Sequence, residues 1–340
     1  MKVAMFYGPG DVRLEERELP SIREGEILVK IRAALTCGTD IKTYRRGHPL
    51  LPPPSPFGHE FAGEIADVGK KVENFEEGMR VVAANSAPCG YCFFCKKGRE
   101  SLCENLFFLW GAFAEYIVVP ERIVRKNVLE IPSHVKYEEA ALTEPLACVI
   151  HGVEESGILM GDTVVINGAG PIGLFFTALV KRKGARVIQT DLVDERLSVA
   201  EKLGADHTIN AGIGEKKTIE KVKELTGNRG ADVAIEAVGY PEIWETTIKM
   251  TRRGGNTTLF GGCERNTAIS VDTSLLHYNE LTLKGVFHHT PHYIRTALNL
   301  ISWGAIDTET FITERMPLSK IDEALEKVLH QEGVKIALIP

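Results

Sequence analysis

Between residues 163 and 184 the chain reads TVVINGAGPIGLFFTALVKRKG, a β-branched run, a glycine-rich turn and then an apolar stretch of helical periodicity. A strand that passes through glycines into a helix makes one half of a parallel βαβ unit, because parallel neighbours need a crossover. The pattern then repeats, with RVIQTD, HTIN, DVAIEAVG, NTTLFGG and LTLKGVF as further strands and DERLSVAEKLG as an intervening helix. Six such strands predict a doubly wound parallel sheet covered by helices on both faces.

The part before about residue 147 has another texture. EILVKIRAAL, FAGEIADVG, MRVVAAN and FAEYIVVP are short apolar runs separated by glycine, proline and charged turns, which predicts a compact antiparallel β-barrel. After Phe287 come a helical YIRTALNLISWG, a strand-like FITERMP, a helix LSKIDEALEKVLHQ stopped at Gly333, and an apolar run VKIALIP. That tail is too short to fold alone and is expected to pack on the first lobe. The predicted division is 1–146 with 288–340 as one domain and 147–287 as the other, in an α/β protein.

Composition narrows the partners. A net charge of −6 without a basic cluster argues against nucleic acid, and no apolar run is long enough to span a bilayer. The N-terminal MKVAMFYGPGDVRLEERELP lacks a signal-peptide core, so a cytoplasmic location with reduced thiols is expected.

The glycine turn carries a specific ligand expectation. In GAGPIG, Gly168 permits the tight turn, Gly170 lets the backbone approach a pyrophosphate, and Gly173 lets helix and strand pack closely. Pro171 falls near the first helical position, where its missing N–H costs nothing, and the helix start offers free N–H groups to phosphate. Asp191 ends the next strand 18 residues beyond Gly173, placed to accept both ribose hydroxyls and to repel a 2′-phosphate. NAD is therefore expected over NADP, although Arg196 nearby can bind a phosphate or lie against the adenine.

Four of the seven cysteines crowd into PCGYCFFCKKGRESLC, residues 88–103. Cys89, Cys92, Cys95 and Cys103 are spaced by three, three and eight, which lets four thiolates surround one tetrahedral ion. Every position being filled by protein, that loop, 88–104, is expected to hold a structural zinc. Zinc is preferred over an iron–sulfur cluster because Lys96, Lys97 and Arg99 offset the thiolate charge.

The remaining candidates are isolated: Cys37 in TCGTD, His59 and Glu60 in PFGHEFAG, and Glu144 in TEPLA. Neighbouring side chains on a strand diverge, so His59 and Glu60 can share one target only if the chain turns at Gly58. In the order CGTD, GHEFAG, four-cysteine loop, FAEY, EPLA and GAGPIG, the chain resembles the zinc-containing medium-chain dehydrogenase/reductase family of alcohol and polyol dehydrogenases.

That resemblance implies a GroES-like catalytic barrel, a Rossmann nucleotide-binding domain, two zinc ions per chain and a homodimer or homotetramer. By motif position Cys37, His59 and Glu60 are similar to ligands of a catalytic zinc. Glu144 stands where alcohol dehydrogenases carry a second cysteine, as in the sorbitol or threonine dehydrogenase branch, and either glutamate is open as the direct ligand. Thr39 is similar to the hydroxyl that takes the substrate proton. Lys42 replaces the histidine that many members use to pass that proton outward, and it serves there only with a pKa lowered toward neutral, unless water takes its place. Ile172, Leu259, Phe260, Gly261, Val286 and Phe287 join Asp191 and Arg196 at positions where relatives contact NAD.

The implied activity is hydride transfer from a secondary alcohol, a polyol, sugar alcohol or inositol-like small molecule, to NAD. The rivals are an L-threonine 3-dehydrogenase, a zinc-free quinone or enoyl reductase, and a non-catalytic nucleotide-binding protein.

Overall fold

In a computed structural model that describes residues 1–340, the chain forms two compact units, Met1–Ala147 with His289–Pro340 and Cys148–His288. The crossings fall one residue later than the sequence places them.

The second unit is built on a six-stranded parallel sheet. Its spatial order is His207–Asn210, Arg186–Asp191, Thr163–Asn167, Ala231–Glu236, Thr251–Leu259 and Thr282–Gly285, each strand parallel to its neighbour. Val164, Val165, Ile166, Val187, Ile188 and Ile235 are fully buried, as strands covered on both faces require. The helix Pro171–Arg182 begins with proline in its first turn and buries Leu174, Phe175, Phe176 and Val180. One strand is longer than expected, since Thr251–Leu259 begins ahead of NTTLFGG and runs through Arg252–Gly255 with a bulge opposite Ala231 and Val233. Glycine does not end the strand there because a Cβ on Gly255 would stand 2.8 Å from the Asp232 carbonyl oxygen, so the neighbouring strand needs a bare backbone.

The first unit centres on a sheet ordered Val128–Glu130, Arg80–Ala83, Glu60–Val68, Ile27–Leu35, Lys335–Ile339 and Ile312–Pro317, with Tyr116–Val119 also paired to Ile27–Leu35. Phe6, Phe57, Phe61 and Phe113 fill its core together with Ile27 and Ile123. The pairing is antiparallel except between Ile312–Pro317 and Lys335–Ile339, which are parallel. That exception arises because the helix Ile321–Leu329 carries the tail back over the sheet between them, as a parallel crossover demands. The strands before residue 147 pair antiparallel as expected, and the parallel pair belongs to the tail.

No helix is long and apolar enough to cross a membrane.

Candidate active site

The helix Gly38–Arg46 starts at Cys37, whose N–H donates to Asp40 Oδ2 at 2.9 Å. The other oxygen of the same carboxylate accepts from His59 Nδ1 at 3.0 Å, and both side chains are buried. Asp40 thus fixes a cysteine and a histidine at once, and it leaves Nε2 of His59 as the nitrogen available to a metal. Burial opposes charge on the His59 ring, but Asp40 and Cys37 overcome it and hold the pKa well above the ordinary value. The same charges that favour a proton on Nε2 favour a cation there, and metal binding competes with that proton.

The chain does turn at Gly58, with φ +84°, and a Cβ there would stand 2.6 Å from the Phe113 ring. His59 precedes the strand that Glu60 opens. Ligand atoms of Cys37, His59 and Glu60 lie within 4.8 Å of one another, a spacing that lets them converge on one ion. Thiolate, imidazole and carboxylate are a donor set that zinc accepts, with room for a fourth ligand.

Glu60 has a second partner. Lys335 Nζ donates to its Oε1 at 2.8 Å, to Oε2 at 2.5 Å and to the Thr36 carbonyl at 2.9 Å, with both charged side chains essentially inaccessible. Burial works against the charge on Lys335, and Glu60 more than offsets it, so the lysine pKa is raised. Glu144 falls outside the group of three. It lies in the first turn of the helix Thr143–Glu155, with His289 Nε2 3.7 Å from its Oε1. His289 Nε2 also faces Asn85 Oδ1 at 3.2 Å, in a buried polar set. Burial pushes the Glu144 carboxyl up to about 7, against the opposing charge of His59. Thr39 and Lys42 lie on the helix that Cys37 begins, both half-buried, and the Thr39 carbonyl accepts from the Thr43 hydroxyl at 2.8 Å.

In the cysteine loop the four sulfurs gather within 4.8 Å of one another, with Cys89 to Cys95 at 3.9 Å and Cys92 to Cys103 at 4.0 Å. Four sulfurs about 2.3 Å from a tetrahedral zinc are separated by about 3.8 Å, so the loop is shaped for the ion. Backbone N–H groups of Cys89 and Asn105 point at the Cys103 sulfur, as they do around bound thiolates.

The glycine turn of the second unit shows three separate demands. Gly168 has φ +100°; Gly170 has nothing within 4 Å of where a Cβ would stand, so its backbone is open to a ligand; a Cβ on Gly173 would stand 1.7 Å from the Gly168 carbonyl oxygen. Pro171 and Ile172 open the helix that follows. Asp191 Oδ2 accepts the Ala169 N–H at 2.6 Å and Oδ1 the Val193 N–H at 3.0 Å, which pins the acidic side chain beside the turn. Arg196 is half-buried, and desolvation lowers its pKa against the pull of Asp191. Leu259 and Val286 are buried, Phe260 packs edge-on to Phe176 at 5.0 Å, and Phe287 is exposed. Glu236 accepts N–H bonds from Val238, Gly239 and Gly261, tying together the ends of two central strands.

Residues 23–133 match the model of the alcohol dehydrogenase GroES-like domain, and residues 171–303 match that of the zinc-binding dehydrogenases. A sorbitol dehydrogenase of Bacillus subtilis is 35% identical over 100% of this chain and 97% of its own. The chain belongs to the zinc-containing medium-chain dehydrogenase/reductase family. An L-threonine 3-dehydrogenase of Bacillus velezensis is 34% identical to this dehydrogenase over 96% of the chain and 95% of its own. A zinc-binding dehydrogenase from Sinorhizobium meliloti, solved with NADP, superposes with a TM-score of 0.91 at 30% identity, covering 100% of this chain and 99% of that one.

Sequence reasoning passed over two residues of this dehydrogenase, Asp40 and Lys335. Asp40 had a local signal, an acidic residue three positions after a residue that starts a helix, where a capping box is formed. Lys335 had a fainter one, a single charge inside the apolar run VKIALIP.

Proposed function

We propose that this dehydrogenase oxidises a secondary alcohol bearing a neighbouring hydroxyl, as in a polyol, sugar alcohol or inositol-like ring, with NAD as hydride acceptor. Cys37, His59 and Glu60 hold a catalytic zinc, and Cys89, Cys92, Cys95 and Cys103 hold a structural one. The observation that carries the reading is the mixed donor set of one thiolate, one imidazole and one carboxylate within 4.8 Å. A carboxylate in place of a second thiolate makes a harder site, better suited to two adjacent oxygens.

Zinc, when bound, supplies the polarisation that brings loss of an alcohol proton into the neutral range, and the dinucleotide accepts the hydride. The chain's own groups do the rest. Asp40 keeps the Cys37 and His59 donors oriented, the Thr39 hydroxyl receives the substrate proton, and Lys42 or water passes it outward. Glu144, whose carboxyl burial raises to about 7 in the metal-free protein, is the second carboxylate that tunes the charge at the metal. Gly170 and the helix start hold the pyrophosphate, with Ile172 beside them; Asp191 takes the adenosine ribose and disfavours a 2′-phosphate, and Arg196 lies against the adenine. Leu259, Phe260, Gly261, Val286 and Phe287 complete the dinucleotide site.

The L-threonine 3-dehydrogenase relative keeps an amino alcohol as the second reading. The deciding experiment is a panel of polyols, sugar acids, threonine and simple alcohols with NAD or NADP, followed at the NADH absorbance, with zinc measured on the same sample. Oxidation of polyols with NAD at two zinc per chain is expected. Activity confined to monohydric alcohols, or a preference for NADP, refutes the corresponding part.

A further inference from the structure

The strand Arg186–Asp191 buries an amide directly after two apolar residues. Gln189 is fully inaccessible, as are Val187 and Ile188 before it. Its Nε2 faces two carbonyl oxygens, Gly168 at 2.7 Å and Ile166 at 3.2 Å, so both of its protons have acceptors. Its Oε1 accepts from the hydroxyl of Thr177, 2.5 Å away on the helix Pro171–Arg182. An amide sealed from water is tolerated only when paired in this way, and a leucine would fill the position with no such requirement. What the amide adds is its bond to the glycine turn.

Gln189 and Asp191 are two residues apart, so their side chains leave the strand on the same face. They grip opposite ends of a single peptide unit. The Gly168 carbonyl accepts from Gln189, while the Ala169 N–H, across the same C–N bond, donates to Asp191 Oδ2 at 2.6 Å. Gly168, at φ +100°, is a residue whose backbone freedom lets that peptide rotate. Held as it is, the oxygen lies inside the unit against Gly173, where a Cβ would meet it at 1.7 Å. Rotated outward, it brings the negative end of the peptide dipole toward the helix start that receives phosphate. Loss of the Gln189 donors favours that rotation, because a buried carbonyl without a donor is costly.

We propose that Gln189 is a positioning residue for the dinucleotide pyrophosphate, its amide keeping the Gly168–Ala169 peptide turned so that the carbonyl oxygen stays away from the phosphates. Thr177 fixes the amide in turn. This rests on the reading of GAGPIG as a dinucleotide turn, and it requires neither the zinc ions nor an alcohol substrate. Asp191 keeps a second anchor in the Val193 N–H, so the ribose end of the site does not depend on Gln189.

The test is NADH binding to the full chain, followed by nicotinamide fluorescence, with ADP-ribose and adenosine as displacers. Gln189→Leu keeps most of the volume and removes both donors. Its dissociation constants for NADH and ADP-ribose are expected to rise about tenfold, and that for adenosine, which carries no pyrophosphate, by less than about twofold. Thr177→Val is expected to raise the NADH constant about threefold, and Thr177→Ser, which keeps the hydroxyl, to leave it at the parent value. A role confined to stability moves the melting temperature and leaves the two displacers alike. NADH affinity in Gln189→Leu within about twofold of the parent, or equal losses on ADP-ribose and adenosine, overturns the proposal and leaves the dinucleotide site standing. If Gln189→Leu does not fold, Thr177→Val decides, and an NADH affinity equal to that of Thr177→Ser overturns the proposal. A parent chain that binds neither NADH nor NADPH removes the dinucleotide reading itself.

Discussion

Replacing Lys335 by methionine removes the cation that Glu60 faces and keeps most of the side-chain volume. Three short contacts disappear together, those to the two Glu60 oxygens and to the Thr36 carbonyl, all of them buried. An ion pair sealed from water is worth little against an apolar substitute, but removing one partner strands the other and costs about 3–5 kcal/mol. Stability in domains of this kind totals about 5–15 kcal/mol, so the loss is a large fraction of the whole. Trp110 and Trp303 both belong to the first unit, and urea unfolding followed by tryptophan emission will report it. The expected result is a fall of several kcal/mol in Lys335→Met and a smaller one in Glu60→Leu/Lys335→Met, where neither charge is left alone. A single variant that loses less than about 1 kcal/mol, or a double variant no better than the single, refutes the reasoning. Zinc provides a separate readout: with its lysine gone, the Glu60 carboxylate turns wholly to the metal, so zinc is retained in Lys335→Met.

Asp40→Asn keeps the size of the side chain but not its charge, and zinc affinity at the Cys37–His59 site is expected to fall about 10–100-fold, read by competition with a chromophoric chelator. Gly173→Ala pushes a methyl group against the Gly168 carbonyl and is expected to lose both NADH binding and thermal stability, whereas Gly170→Ala, with open space around it, lowers NADH binding alone; calorimetry and NADH fluorescence separate the two. The Glu64 carboxyl is held below its ordinary value of 4.5 by Arg32, with Tyr137 adding a hydrogen bond. Its contribution is present above that value and is lost as pH falls through the lower folded one, so the melting temperature declines in acid and Glu64→Gln makes that decline shallower.

The parts of the chain most readable from sequence are those whose geometry is local. The three glycines of GAGPIG impose backbone demands on each other within six residues, and the four cysteines close their loop within fifteen. The pair in PFGHEFAG was half readable. Gly58 and its turn are local, but the partner that decides where Glu60 points lies 275 residues away in the tail, where a lysine among Val, Ile, Ala and Leu reads as the edge of an apolar strand. The approach of His289 to Glu144 escapes for the same reason, because burial and long-range pairing are properties of the folded chain alone. The parallel pairing of the two tail strands left no mark in the sequence, because strand patterns carry no sign of direction.

The central place of Lys335–Ile339 in the first sheet has a consequence for synthesis. All of residues 148–288 emerge from the ribosome before the segment that separates Ile27–Leu35 from Ile312–Pro317 has been made. The second unit is contiguous and is free to fold on emergence; the first unit waits, with the edge of Ile27–Leu35 uncovered and Glu60 without its cation. Ribosome-bound intermediates halted near residue 330 should therefore bind NADH-like dyes before they retain zinc at Cys37 and His59, and that exposed edge is where a chaperone would be most needed.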